Sequence, residues 1–174
     1  NPLLPDNPNS KVNACVDNIY RIWKEYKDEN LTQIMFCDLS TPNGKNEFNV
    51  YDDIKMKLIA KGIPEEEVEH IHIAKTEKQK QDLFSKVRQG KVRVINGSTS
   101  KMGAGTNIQD RLVALHDLDC PWRPRDLEQR HGRIARQGNL NSEASIYTYV
   151  TEGTFDSYLY QTIEKKQTFI SQVF

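Results

Sequence analysis

The chain has 174 residues, 37% of them hydrophobic and 28% charged, and its 24 basic residues balance 24 acidic ones for a formal net charge of zero. That is the length of about one domain with a substantial core, and the composition excludes a disordered chain. Zero net charge excludes a surface coated for polyanions, so any phosphate binding must be local.

No run of about eighteen apolar residues is present, which excludes a membrane-spanning helix, and no signal-peptide pattern opens the chain. Cys15, Cys37 and Cys120 are odd in number and far apart. They read as buried thiols of a reducing compartment, the cytoplasm, rather than as a disulfide or a zinc site.

In chain order, residues 1–10 (NPLLPDNPNS) are rich in Pro and Asn without periodicity and read as a tether, with one domain over 11–174. The chain starts at Asn1 without methionine, as a piece of something longer would. Val12, Cys15, Val16, Ile19, Ile22, Trp23 and Tyr26 recur at helical spacing and predict a helix over 11–28. QIMFCD (33–38) is a short strand, and Val50, Ile54 and Leu58 mark a helix stopped by Gly62. HIHI (70–73) predicts the next strand. Thr76 and Gln79 form a capping box for a helix ending at Gly90. VRVI (92–95) and LVALHDL (112–118) are further strands. Pro124 suits the first turn of the following helix, which packs on the sheet through Leu127 and Ile134. SIYTYV (145–150) is a last strand, with a helix from about Thr154. Short strands alternating with helices predict an α/β fold with a mostly parallel sheet, whose ligands sit beyond the carboxyl ends of the strands.

Two stretches at those ends carry chemistry. GSTSKMGAGTN (97–107) follows a strand directly, and its glycines and hydroxyls suit close approach to an anion. It is not a P-loop: no stretch of the chain supplies G-x-x-x-x-G-K-[ST]. Between Pro121 and Gly138 stand Arg123, Arg125, Arg130, Arg133 and Arg136, with no lysine and only Asp126 and Glu128 as acids. Arginine's fork matches phosphate or carboxylate as lysine does not. At about 100° per residue, Gln129, Arg133 and Arg136 lie near 0°, 40° and −20° on one face, with Arg123 and Arg130 off it.

These stretches resemble the C-terminal RecA-like lobe of superfamily-two helicases and translocases, from about Gln33 to Thr154. Gln129-x-x-Gly132-Arg133-x-x-Arg136 is similar to motif VI, and Gly103-Ala104-Gly105-Thr106-Asn107 to motif V. DLDCPWRPRDLEQR resembles the Swi/Snf signature D-x-D-x-W-x-P…Q, although the usual ending of motif VI in that branch is absent. The whole chain also resembles the helicase segment of methylase–helicase proteins carried by bacterial mobile elements.

The resemblance implies a three-layer α/β/α, RecA-like fold. It implies that Arg133 and Arg136 are arginine fingers for the γ-phosphate of ATP, with Gln129 positioning the attacking water or coupling the nucleotide to the loop behind it. Gly103, Gly105 and Asn107 would face the nucleotide. Ser98, Thr99 and Lys101, with Ser40, Thr41 and the turn His72 to Thr76, would contact DNA backbone. ATP and Mg²⁺ would be held mainly by an N-terminal RecA-like lobe of the same polypeptide, which this chain lacks.

Trp122, flanked by prolines, reads as packed core, and Asp117 and Asp119 read as structural rather than metal-binding. No metal site is expected: His116 and His131 lack ligand-spaced partners. A RecA-like module that binds nucleic acid or protein without hydrolysis is the alternative from a different class.

Overall fold

The computed structural model describes residues 6–42, 44, 47–102, 106–134, 138–151, 153 and 158–163. Helix α1 (Lys11–Glu25) starts where the Ser10 side chain accepts from the Asn13 N–H, and it buries Cys15, Val16, Ile19, Ile22 and Trp23. The Arg93 side chain closes its other end by donating to the Trp23 and Tyr26 carbonyls at 2.9 and 3.1 Å. Strand β1 (Thr32–Phe36) is buried along its whole length, as the central strand of a parallel sheet must be.

Helix α2 (Val50–Lys61) is capped by Asn49 and ends at Gly62, whose φ of 121° few side chains tolerate. Strand β2 (Val68–His70) is followed by a single 3₁₀ turn over Ile71–Ile73, where 70–73 reads as strand in the sequence. The alternation seen there reflects a turn that tucks Ile71 under the sheet and leaves Ile73 outside. In α3 (Glu77–Arg88) both bonds of the Thr76–Gln79 capping box are made.

Strand β3 (Val94–Gly97) lies two residues later than its apolar run. The ladder continues into Asn96 and Gly97, both buried. After β4 (Leu112–Asp117) comes α4 (Pro124–His131), then β5 (Ser145–Thr148). Residues 158–163 are helical.

The five strands pair in the order β2-β3-β1-β4-β5, and every described pairing is parallel. Alternate residues of β1 face opposite layers: Met35 packs with α1 and α2, while Ile34 and Phe36 pack with α3. The fold is therefore three-layered, helix on sheet on helix. Ile134 joins the layer over Ile34 and Phe36, but Leu127 of α4 packs against Cys120, Leu159 and Ile163 instead of the sheet. All three cysteines are buried thiols outside any disulfide. Among the described residues no helix is long and apolar enough to cross a membrane.

Parallel pairing puts the carboxyl ends of β1, β3 and β4 side by side, with Phe36 level with Gly97 and with Asp117. The loops that leave those three ends build the site.

Candidate functional site

The loop after β3 is folded tightly against its strand. A Cβ on Gly97 would meet Met102 Cγ at 2.3 Å and Ile71 Cγ2 at 3.2 Å, so only glycine allows this close return. The Met102 N–H donates to the Ser98 carbonyl at 2.9 Å, and the Lys101 N–H to Ser98 Oγ at 3.3 Å. Ser98 and Thr99 are buried by this turn, and Ser100 and Lys101 are exposed.

The exposed side of the loop walls a cleft of about 660 Å³. Opposite it stand Thr41 from the loop after β1, His72 and Lys75 from the turn after β2, and Arg123 and Gln129 from the α4 segment. Burial, and then the charges of Lys101 and Lys75, push the His72 imidazole below its ordinary value. Two lysines, an arginine and a histidine thus share one wet, polar concavity with the acids Asp38 and Asp126.

Of the residues named from the sequence, Thr41, Ser98, Thr99, Lys101 and Gln129 come together here. Ser40 and Thr76 do not line the cleft. The Ser40 hydroxyl accepts from the Val50 N–H at 3.1 Å, at the start of α2, and Thr76 caps α3. The Thr99 hydroxyl is also used internally: it donates to Asp38 Oδ2 at 2.8 Å while the Thr99 N–H donates to Asp38 Oδ1 at 2.7 Å.

The single helical face expected for Gln129 and Arg133 is not formed. Helix α4 ends at His131, and the chain then turns, with the Arg133 N–H donating to the Arg130 carbonyl at 3.1 Å. A projection at about 100° per residue holds only within a continuous helix. Gln129 faces the cleft, whereas Arg133 is 5% exposed and donates from Nη1 to the Thr106 carbonyl at 3.3 Å. Arg133 thus lies beside the end of the motif V-like stretch, next to exposed Asn107. Gly103, Gly105 and Arg136 lie outside the described residues.

Arg130 is the largest departure from the sequence reading. The sequence places it only off the expected face; its side chain is wholly buried and faces anions inside the chain. Nη2 pairs with Asp119 Oδ1 at 2.8 Å and with Asp38 Oδ2 at 2.9 Å, and Nη1 with Asp117 Oδ1 at 3.3 Å. Nη1 also donates to the Asp119 carbonyl at 2.7 Å, and Nε to Thr99 Oγ1 at 2.8 Å.

The remaining acceptors of those acids are filled as well. Asp119 Oδ2 accepts the N–H groups of Asp38 and Leu39 at 2.7 Å each, and Asp117 Oδ2 meets His131 Nε2 at 2.5 Å. Burial would raise the Asp38 carboxyl, but the Arg130 charge and the Thr99 donors outweigh it and hold it below the usual aspartate range. Burial would likewise lower the Arg130 guanidinium, and the carboxylates of Asp119, Asp38 and Asp117 keep it above its ordinary value. Each carboxylate oxygen of Asp117 and Asp119 thus meets at least one donor from the protein.

Trp122, expected in the core, is 63% exposed. Arg123 follows it as the N-cap of α4, which starts at Pro124. His116 is buried between Tyr149 and Gln33, each at 2.8 Å. Burial lowers it to about 3, a neutral core residue. Among the described residues no group of His, Cys, Asp and Glu is arranged to hold a metal ion.

Comparison with known proteins agrees with this architecture. A stretch of 73 residues is 33% identical to the "Defense against restriction protein B" of Escherichia phage P1, covering 42% of this chain and 3% of that protein. A stretch of 89 residues is 32% identical to the "Uncharacterized ATP-dependent helicase YqhH" of Bacillus subtilis (strain 168), covering 50% of this chain and 15% of that one. The chain thus spans a small part of the length of the curated relatives it matches. In three dimensions it is similar to the C-terminal part of the Fun30 ATPase domain, with a TM-score of 0.66 at 19% identity over 91% of this chain and 47% of the other. That likeness establishes the RecA-like fold. The helicase conserved C-terminal domain model matches residues 13–138, well over half of the chain, and the chain belongs to that family.

Proposed function

We propose that this chain is the C-terminal motor lobe of an ATP-dependent DNA helicase or translocase. It supplies arginine fingers to ATP bound on an N-terminal lobe of the same polypeptide and grips nucleic-acid backbone in its own cleft. The observation that carries this reading is the cleft itself: Lys101, Lys75, His72, Arg123 and Gln129 converge from two loops and α4 on one polar concavity beyond the carboxyl ends of the strands.

In this reading Lys101, Lys75 and Thr41 meet backbone phosphates, and Ser98 and Thr99 hold the loop that presents them. Such contacts bind without regard to sequence. Gln129 couples the cleft to the nucleotide. Gly103, Gly105 and Asn107 face the nucleotide, and Arg133 and Arg136 approach its γ-phosphate. Arg133 reaches a phosphate by exchanging the Thr106 carbonyl for it as the lobes close. When bound, ATP with Mg²⁺ supplies the transferable phosphoryl group. In this reading the metal is held mainly by the other lobe, and the acids nearest Arg130 bond to protein donors.

The domain extends over residues 11–174, and residues 1–10 tether it to its partner lobe. DLDCPWRP supports a Swi/Snf-like branch. A mobile-element, methylase-associated origin and a cytoplasmic setting belong to the same proposal and rest on the sequence resemblance alone.

Two expected results test this directly. The 174-residue chain alone should hydrolyse no ATP with or without DNA, because it contains no P-loop pattern. DNA-stimulated turnover by the purified chain would refute the two-lobe account. In the complete protein, Lys101→Ala should weaken DNA binding to a similar degree on unrelated sequences and lower the slope of log K against log salt by about one. A loss confined to particular sequences would mean base readout at this loop.

A further inference from the structure

Arg130 joins the two halves of the site. It follows Gln129, which lines the cleft, and precedes Arg133 by three residues in the same turn. Its guanidinium reaches the ends of all three central strands: Asp38 after β1, Thr99 after β3, and Asp117 and Asp119 at the end of β4.

Three carboxylates around one buried arginine are a poor device for stability alone. Well-packed apolar residues often hold an interior as well as a buried ion network does. What a fully bonded guanidinium adds is orientation, since its planar fork fixes its partners in angle as well as distance.

Thr99 is the shared element. Its hydroxyl accepts from Arg130 Nε and donates to Asp38, its N–H donates to Asp38, and the residue walls the cleft beside Ser100 and Lys101. A phosphate drawn to Lys101 brings negative charge to the loop whose seat is the Asp38–Thr99–Arg130 chain. Any shift of Thr99 is passed to Arg130, and so to α4 and the Arg133 turn.

We propose that Arg130 is a positioning residue that couples occupancy of the cleft by nucleic acid to the placement of Arg133. This inference rests on the reading above, in which the cleft takes backbone phosphate and Arg133 faces the nucleotide.

The test uses the complete protein, a random-sequence DNA duplex and ATP. Arg130→Lys keeps the charge but cannot bridge Thr99, Asp38, Asp117 and Asp119 together. Its DNA Kd should stay within about threefold of wild type, while turnover at saturating DNA falls at least tenfold, a split that general loosening of the fold does not produce. Thr99→Val, which deletes one hydroxyl and no charge, guards against misfolding of the lysine variant. It should lower turnover at saturating DNA at least threefold, and Thr99→Ser should restore it.

Wild-type turnover by folded Arg130→Lys and Thr99→Val at saturating DNA would overturn the coupling. So would a defect in both that excess DNA repairs completely. If wild-type protein itself shows no DNA stimulation, the motor reading falls and the coupling with it. If it is stimulated while both variants match it, the coupling alone is lost.

Discussion

Arg130→Ala is expected to lower the folding free energy of the chain by about 3–5 kcal/mol, the usual cost of breaking a buried ionic network from one side. The variant leaves Asp117 and Asp119, both nearly inaccessible, and the partly buried Asp38 without their shared cation. It also strips a donor from Thr99 and one from the Asp119 carbonyl. Each such buried acceptor is costly to leave unmet.

Urea unfolding of wild type and variant at neutral pH measures the difference. Arg130→Met combined with Asp117→Asn and Asp119→Asn should recover part of the loss, because the charges left unpaired by the single change are then removed. A loss below about 1 kcal/mol for Arg130→Ala would mean that water reaches the site and that the three strand ends are not held by this residue.

In the complete protein, Arg133→Ala and Arg136→Ala should each lower DNA-stimulated ATP turnover by about 10³-fold, within the range known for arginine fingers in related hydrolases. Nucleotide affinity should fall by less than about tenfold. Most ground-state contacts belong to the other lobe in this account, so the loss appears in kcat more than in KM. Arg→Lys should rescue poorly, since an ammonium does not reproduce the fork.

Arg125→Ala is the control, since that residue is exposed and does not line the cleft. Arg130 cannot serve as a second control, given its burial. Because Ile134 packs with Ile34 and Phe36, melting temperatures of the Arg133 variants must be matched before rates are compared.

Much of the scaffold was legible in the sequence because local signals and tertiary structure agreed. The Thr76–Gln79 box, Pro124 at the first turn of α4 and Gly62 at the end of α2 are short-range devices, and each sits where its residue type is favoured. Four of the five strand positions were legible to within two residues, and the expected strand at 70–73 shares only His70 with β2. The errors arise where polar residues are buried, as at Asn96, or where an apolar alternation belongs to a turn, as at Ile71–Ile73.

The site was legible as segments but not as side-chain directions. Motif-like spacing located the segments 97–107 and 129–136, and the cleft gathers five of the residues named there and at Thr41. The partners of Arg130 were not legible because they are set by strand register, not by spacing: Asp38, Asp117 and Asp119 meet only once β1 and β4 pair. An acid at the end of each of two adjacent strands, with an arginine on the next helix, is the pattern that would have signalled it. Trp122 was misplaced for a related reason, since composition cannot tell which side of a turn faces solvent.

The central claim, that this lobe's arginines act on the charge of phosphoryl transfer, is tested most directly by comparing two ligands in the DNA-bound complete protein. One is a non-hydrolysable ATP analogue, which reports ground-state binding. The other is ADP with aluminium fluoride, which mimics the transferring phosphoryl group. Arg133→Ala should change affinity for the first by less than about tenfold and weaken the second by about 10³-fold, the same factor expected in turnover. Equal effects on both ligands, or no effect on either, would contradict the account and leave Arg133 as the internal support that its bond to Thr106 makes it in the lobe alone.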